Sequence, residues 1–214
     1  MRITEANLHI IAWFITIISV SLAVIVWGQS LHWHIIGITT YLLFPIFGLV
    51  AFSIMWSQYI SIAFKQYLKI KGPALKNYFR VTSYLVLVAI LIHPSLLIWQ
   101  LWRDGAGLPP SSYVHYVLPN LKLFVILGSI NLTIFLLFEL RRIFSKYSWW
   151  RYYTYIVDIA LLSVFYHGLR LGTQLRSGWY QKVWYFYGIS YVIALGYIYR
   201  NRYLNKKRLL TTNI

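Results

Sequence analysis

Along this chain the polar positions gather into short clusters. Between them run six almost wholly apolar stretches: Leu8 to Trp27, Thr39 to Phe64, Val81 to Trp102, Leu121 to Leu140, Thr154 to Leu171 and Lys182 to Tyr199. Each is long enough to cross a hydrocarbon core of about 30 Å as a helix rising about 1.5 Å per residue. The pattern predicts an all-α integral membrane protein: one transmembrane domain over residues 1–214, folded as a six-transmembrane-helix bundle.

The polar clusters differ in charge. The inner set of span ends carries Arg2, then Lys65, Lys69, Lys71, Lys76 and Arg80, then Arg141, Arg142, Lys146 and Arg151, then Arg200, Arg202, Lys206, Lys207 and Arg208. The opposite ends carry only Arg103, Lys122, Arg170, Arg176 and Lys182. Short cytoplasmic loops accumulate Lys and Arg, so the N and C termini are expected to be cytoplasmic, in a multi-pass protein of the plasma or inner membrane. The first stretch is expected to stay as a span rather than be removed as a signal peptide. Glu5 sits in the would-be basic region, the apolar run is long, and Gly28-Gln29-Ser30 is a poor cleavage site.

Composition sharpens the class. With 59% hydrophobic and 11% charged residues in 214, the chain lacks the polar surface of a soluble domain. A net charge of +16 raises the question of nucleic acid, but the cations flank apolar spans and build no basic face with base-reading elements. Their expected partner is the anionic surface of the lipid membrane. Cysteine is absent, which excludes disulfides, thiolate metal sites and iron–sulfur clusters within this chain.

The longest non-apolar loops, Lys65 to Arg80 and Arg103 to Asn120, are too small for a soluble nucleotide-binding domain. There is no Gly-x-Gly-x-x-Gly after a strand and no Gly-Lys-Ser/Thr phosphate loop. Nicotinamide or flavin chemistry would have to come from another protein. Arg103 to Pro110 is a turn-rich connector, and internal repeats are not evident.

Two residues stand out against this background. His93 and His167 each interrupt an apolar stretch, where an unpaired imidazole is costly and tends to be functional. His93 follows Val81 by about 18 Å and His167 follows Thr154 by about 20 Å, so helices three and five bring them to matching depth in the outer half of the membrane. One membrane-embedded haem needs two axial nitrogens at one level, which this pair supplies. Pro94 can kink its helix and turn the imidazole inward, Gly168 can let a flat macrocycle approach, and Arg170, Lys122 and Arg176 are candidate partners for haem propionates. A haem-free alternative makes the two histidines polar contacts between helices.

Three segments resemble a known family, the ferric reductase-like transmembrane domain found in NADPH oxidases, STEAP metalloreductases and the haem subunit of bacterial methionine sulfoxide repair. They are Gly48-Leu49-Val50-Ala51 through Gln58, Phe79-Arg80 through Leu91-Ile92-His93-Pro94, and Trp150 through Tyr166-His167-Gly168. The resemblance implies a haem b-containing electron-transfer protein that takes electrons from a cytoplasmic flavin reductase or flavoprotein. It would deliver them to an outer-side electron acceptor: a ferric or cupric chelate, dioxygen or a periplasmic redox partner.

Two-haem members carry a further histidine about a helix-half earlier on each of these helices. Here those positions hold Phe79 or Arg80 and Tyr153 or Thr154, so the single-haem variant is expected, with iron held by His93 and His167. An FAD or FMN ring would then reach among Tyr78, Phe79, Trp149, Trp150, Tyr152, Tyr153 and Tyr155, which an interfacial aromatic belt explains equally well. Such a chain acts as a transmembrane oxidoreductase or as its membrane subunit. The other classes left open are a quinone-linked cytochrome b subunit and a haem-free membrane transporter or scaffold.

Other chemistry-bearing residues are weaker signals. His32, His34 and His115 fall in outer loops and offer a metal or substrate contact, and His9 reads as interfacial. Asp158 is the one acid deep in a span; it is expected to pair with Arg80 or Arg151, with a proton-relay role as the alternative.

Overall fold

The computed structural model describes residues 5–140 and 144–211, with side chains as far as Asn205. It is all-helical, and no strand occurs among the described residues. Helix α1 spans Glu5–Ser30, α2 Thr40–Tyr67 and α3 Lys76–Arg103. A one-turn helix, α4, spans Tyr113–Tyr116; then follow α5 at Lys122–Glu139, α6 at Trp150–Leu171 and α7 at Trp179–Thr211. Arg2, Arg141 and Arg142 lie outside the described residues, as do the side chains of Lys206, Lys207 and Arg208.

Among the described residues four segments are long and apolar enough to cross a membrane: α1, α2, α3 and the stretch Pro119–Glu139. The last two expected spans are helical but more polar. Helix α6 carries Arg151, Asp158, His167 and Arg170 among its tyrosines, and α7 carries Tyr180, Lys182, Tyr185, Tyr187, Tyr191, Tyr197 and Tyr199. At 33 residues α7 is about 50 Å long, which exceeds a hydrocarbon core of about 30 Å.

The bundle is built on α2. Its residues Ala51 through Ser57 are all buried, so this helix is enclosed on every side rather than along one stripe. It packs on α1, α3 and α7, while α5 packs on α6. Two helical hairpins result, α2–α3 and α5–α6, which meet each other only narrowly through α2 and α6. Aromatic side chains fill the seam between α2, α6 and α7, where Phe52 lies 4.2 Å from Trp184 and Trp56 4.2 Å from Tyr187, centroid to centroid.

Polar side chains lock the helices where no water is available to compete. Thr16 of α1, Ser57 of α2 and Tyr78 of α3 form a closed triangle of hydroxyls at 2.8, 2.8 and 2.9 Å. Asn131 of α5 donates to Ser163 of α6 at 2.8 Å, and Trp56 donates to Ser190 of α7 at 2.9 Å.

Candidate functional site

His93 and His167 each lie seventeen residues into their helix, because α3 begins at Lys76 and α6 at Trp150. Both helices start earlier than the apolar pattern indicates, and the two start offsets make the histidine positions equal. Each imidazole is then held in the same way by the preceding helix of its own hairpin. The His93 Nδ1 lies 2.8 Å from the Phe44 carbonyl oxygen of α2, and the His167 Nδ1 lies 2.7 Å from the Phe124 carbonyl oxygen of α5.

One turn beyond each carbonyl stands a glycine. A Cβ on Gly48 would sit 2.8 Å from His93 Cε1, and a Cβ on Gly128 would sit 2.6 Å from His167 Cε1. Only a residue without a side chain lets the ring lie flat enough on the helix to reach the carbonyl. Since a carbonyl can only accept, each Nδ1 is the protonated nitrogen and each Nε2 keeps its lone pair. Among the described residues neither Nε2 has a hydrogen-bond partner.

This tautomer is the one a metal-ligating histidine adopts when a backbone carbonyl orients it. Both rings are half-buried. The helices that carry them make no extensive contact. Two imidazoles oriented in this way are a donor set that suits the iron of a haem. A bare metal ion is not favoured, since no group of three His, Cys, Asp or Glu side chains forms among the described residues. His32, His34 and His115 are exposed and are not gathered into such a group.

A cap closes the end of the bundle nearest His93. Tyr116 of α4 stacks on Tyr41 at 6.4 Å and meets Phe44 edge-on at 5.9 Å, while Phe44 lies 5.2 Å from the His93 ring. Tyr113 of the same short helix reaches Ser129 of α5 at 3.1 Å, so α4 ties one hairpin to the other. Burial pushes the Tyr116 phenol up to about 12, against the opposing pull of Arg176 nearby. Arg170 lies over the Phe124 ring, its Cζ 5.2 Å from the centroid, directly beside the residue whose carbonyl orients His167. Lys122 opens α5 half-buried, and Arg176 stands exposed after α6.

Several expectations change. Gly168 faces α7 instead of a cofactor slot: a Cβ there would lie 2.8 Å from the Trp184 ring. Helix α3 runs unbroken through Pro94, and the His93 ring is directed by Phe44 and Gly48. The seven inner aromatics fall into separate groups. Tyr78 turns toward α1 and α2 and meets Phe79 edge-on at 5.3 Å, Trp149, Trp150 and Tyr153 cluster with Trp150 stacked on Tyr153 at 4.8 Å, Tyr153 donates to the Ile134 carbonyl at 2.6 Å, and Tyr152 and Tyr155 are exposed.

Asp158 pairs with neither Arg80 nor Arg151; its two carboxylate oxygens accept from the hydroxyls of Tyr59 and Tyr199, and its backbone carbonyl accepts from Tyr191 at 2.9 Å. Arg80 and Arg151 are exposed, whereas Asp158 is buried about two turns beyond Arg151, beside Tyr59, Tyr191 and Tyr199.

Sequence reasoning passed over Phe44, Phe124 and Gly128, and named Gly48 only as the start of a resembling segment. The signal is a short echo, Phe-x-x-x-Gly at 44–48 and again at 124–128, each on the helix before a histidine helix. Compared with known proteins, the chain matches no family model, no curated protein and no solved structure.

Proposed function

We propose that this chain is a six-span membrane cytochrome of the ferric reductase-like type, with both termini cytoplasmic and one haem b held between His93 and His167. What supports it above all is the duplicated clamp: two imidazoles, each oriented by a carbonyl and a glycine of the neighbouring helix, each with Nε2 free. When bound, the haem supplies one-electron redox chemistry. The protein's part is to fix the ring planes, to hold Nδ1 protonated and to exclude water with the α4 cap. Arg170, Lys122 and Arg176 would balance the propionate charges at the outer side. His93 and His167 together would hold such a group from two helices, so an acceptor on the outer side would take electrons without a bond to the metal. The donor acts from the inner side, and the chain works as a transmembrane oxidoreductase or as the membrane subunit of one.

The test is the absorption spectrum of detergent-purified protein, oxidised and dithionite-reduced, beside His93→Ala and His167→Ala. A low-spin b-type spectrum that either substitution removes or turns high-spin is expected. No Soret band after expression with haem supplied would overturn the proposal.

A further inference from the structure

Helix α7 packs on α2, as α1 does, but α1 and α7 make no extensive contact with each other. They are tied at one end only. The Trp179 indole at the start of α7 donates to Gln29 near the end of α1 at 2.9 Å, and Gln174 just before α7 donates to Ser30 at 3.3 Å. Away from this tie a groove of about 490 Å³ lies between the two helices. Phe14, Ile18 and Leu22 form one rim, Val183 and Phe186 the other, and Trp56 of α2 the floor. The floor is held in place by the protein itself: Trp56 stacks on Tyr187 at 4.2 Å and donates to Ser190 at 2.9 Å.

Shape limits the occupant. From Phe14 to Leu22 the α1 rim rises about 12 Å, and the volume spread over that length leaves a cross-section of about 40 Å². A helix with its side chains is about 10 Å across, an area of about 80 Å², so neither a second copy of this chain nor a partner helix seats in the groove. One extended hydrocarbon chain does. Phe14 and Phe186 on the rims are 63% and 58% exposed, so the groove opens on the side of the bundle that α1, an apolar helix of membrane-spanning length, turns to the bilayer.

Charge sets the direction in which the occupant lies. The wall is almost wholly hydrocarbon, and its one charged residue is Lys182. Lys182 stands one turn from Trp179, at the tied end of the groove. It is exposed, and among the described residues it forms no ion pair. A lysine in this position lays its stem along the apolar wall and keeps its ammonium at the mouth. Helix α7 contains no acid, so the charge that the ammonium lacks has to come from outside the helix. Phosphate supplies it, since lysine binds phosphate as a point charge.

A glycerophospholipid presents a phosphate at the membrane interface and a hydrocarbon chain leading inward from it. The groove presents an ammonium at its tied end and an apolar trough leading inward from there. We propose that the α1–α7 groove binds one anionic glycerophospholipid, with its phosphate at Lys182 and one acyl chain laid against Trp56. Hydrocarbon surrounds that chain in the bilayer as well as in the groove, so the trough sets the fit and the ammonium sets the preference. A zwitterionic head group carries its own cation beside the phosphate and gains less from a lone lysine. The inference rests on the six-span reading only in that α7 lies in the bilayer, and it needs no haem.

The experiment is native mass spectrometry of the delipidated full chain, titrated with phosphatidylglycerol or with phosphatidylcholine of equal chain length. The wild type is expected to take up one phosphatidylglycerol about fivefold more tightly than phosphatidylcholine, the equivalent of about 1 kcal/mol. Lys182→Gln should bring the two lipids to parity. Arg103→Gln, which removes the same charge from the same end of the bundle, should keep the preference. Ile18→Trp on the exposed rim fills the trough and should weaken both lipids severalfold, whereas Ile18→Met should bind as the wild type does and guards against a folding failure.

Equal affinity of the wild type for the two lipids, a preference lost equally in Arg103→Gln, or unaltered binding by Ile18→Trp would overturn the inference. So would glycerol phosphate binding as tightly as phosphatidylglycerol, which leaves an anion site without a chain, or a dimer that Ile18→Trp abolishes, which makes the occupant a second copy. Because the chain has no cysteine, Ser177→Cys and Asn205→Cys, labelled with an impermeant maleimide on sealed vesicles, test α7 separately. Labelling from opposite sides without a lipid preference sinks this inference and leaves the six-span reading standing. Labelling of both from one side sinks the six-span reading and this inference with it.

Discussion

The two hairpins solve one problem identically at their outer ends and part company at their inner ends. In α2–α3 and in α5–α6 a histidine seventeen residues into the second helix lies against a glycine of the first and bonds the carbonyl one turn away. Inward of this, α3 sends Tyr78 into a hydroxyl triangle with Thr16 and Ser57, while α6 sends Asp158 into a cradle of tyrosines. Symmetry is kept around the two imidazoles. It is dropped where Tyr78 meets Thr16 of α1 and Asp158 meets Tyr191 and Tyr199 of α7.

Removing either ring should break the equivalence most severely. His93→Ala and His167→Ala are expected to lose bound haem to the same extent, measured as haem per chain; retention by one variant alone would show that the clamps are not equivalent. Next come the glycines. Gly→Ala inside a helix ordinarily stabilises by about 0.5–1 kcal/mol. Gly48→Ala and Gly128→Ala should instead destabilise by about 1–3 kcal/mol, because the new methyl collides with the ring. Gly196→Ala in α7, where a Cβ meets nothing within 4 Å, should keep the ordinary sign. Thermal unfolding in one detergent compares all three, and a stabilised Gly48→Ala would contradict the clamp geometry.

How far the sequence foretold this site depends on the kind of signal. The histidines were legible because an imidazole in an apolar run is conspicuous by type. Gly48 and Gly128 were not, since a glycine in a membrane helix has many uses and its role appears only when the facing ring is placed. Their spacing to Phe44 and Phe124 is visible in the chain, but it acquires meaning only once the pairing of helices is known. The helices themselves followed from apolar lengths; their pairing into hairpins and their starts did not, because Lys76 and Trp150 continue a helix past the edge of the apolar run. Asp158 was conspicuous, yet its tyrosine partners lie 99 and 41 residues away, beyond any local pattern.

Smaller effects sharpen the inner contrast. Tyr78→Phe in one hairpin and Asn131→Leu in the other each remove interhelical hydrogen bonds, which in membranes average about 0.6 kcal/mol and reach about 1.7. Tyr78→Phe should cost more, since its hydroxyl has two partners and Asn131 gives one bond. Equal shifts in chemical denaturation would remove that distinction. The mildest change is expected for Tyr116→Ala, which opens the outer cap: stability moves by under about 1 kcal/mol, while haem exchange to apomyoglobin quickens.

The closing of each clamp within its own hairpin also governs the order of construction. As the chain enters the membrane, α2 and α3 can seat His93 before α5 exists, and α5 and α6 can later seat His167 without reference to the first pair. The protein can thus be assembled as two finished jaws hinged at one narrow seam.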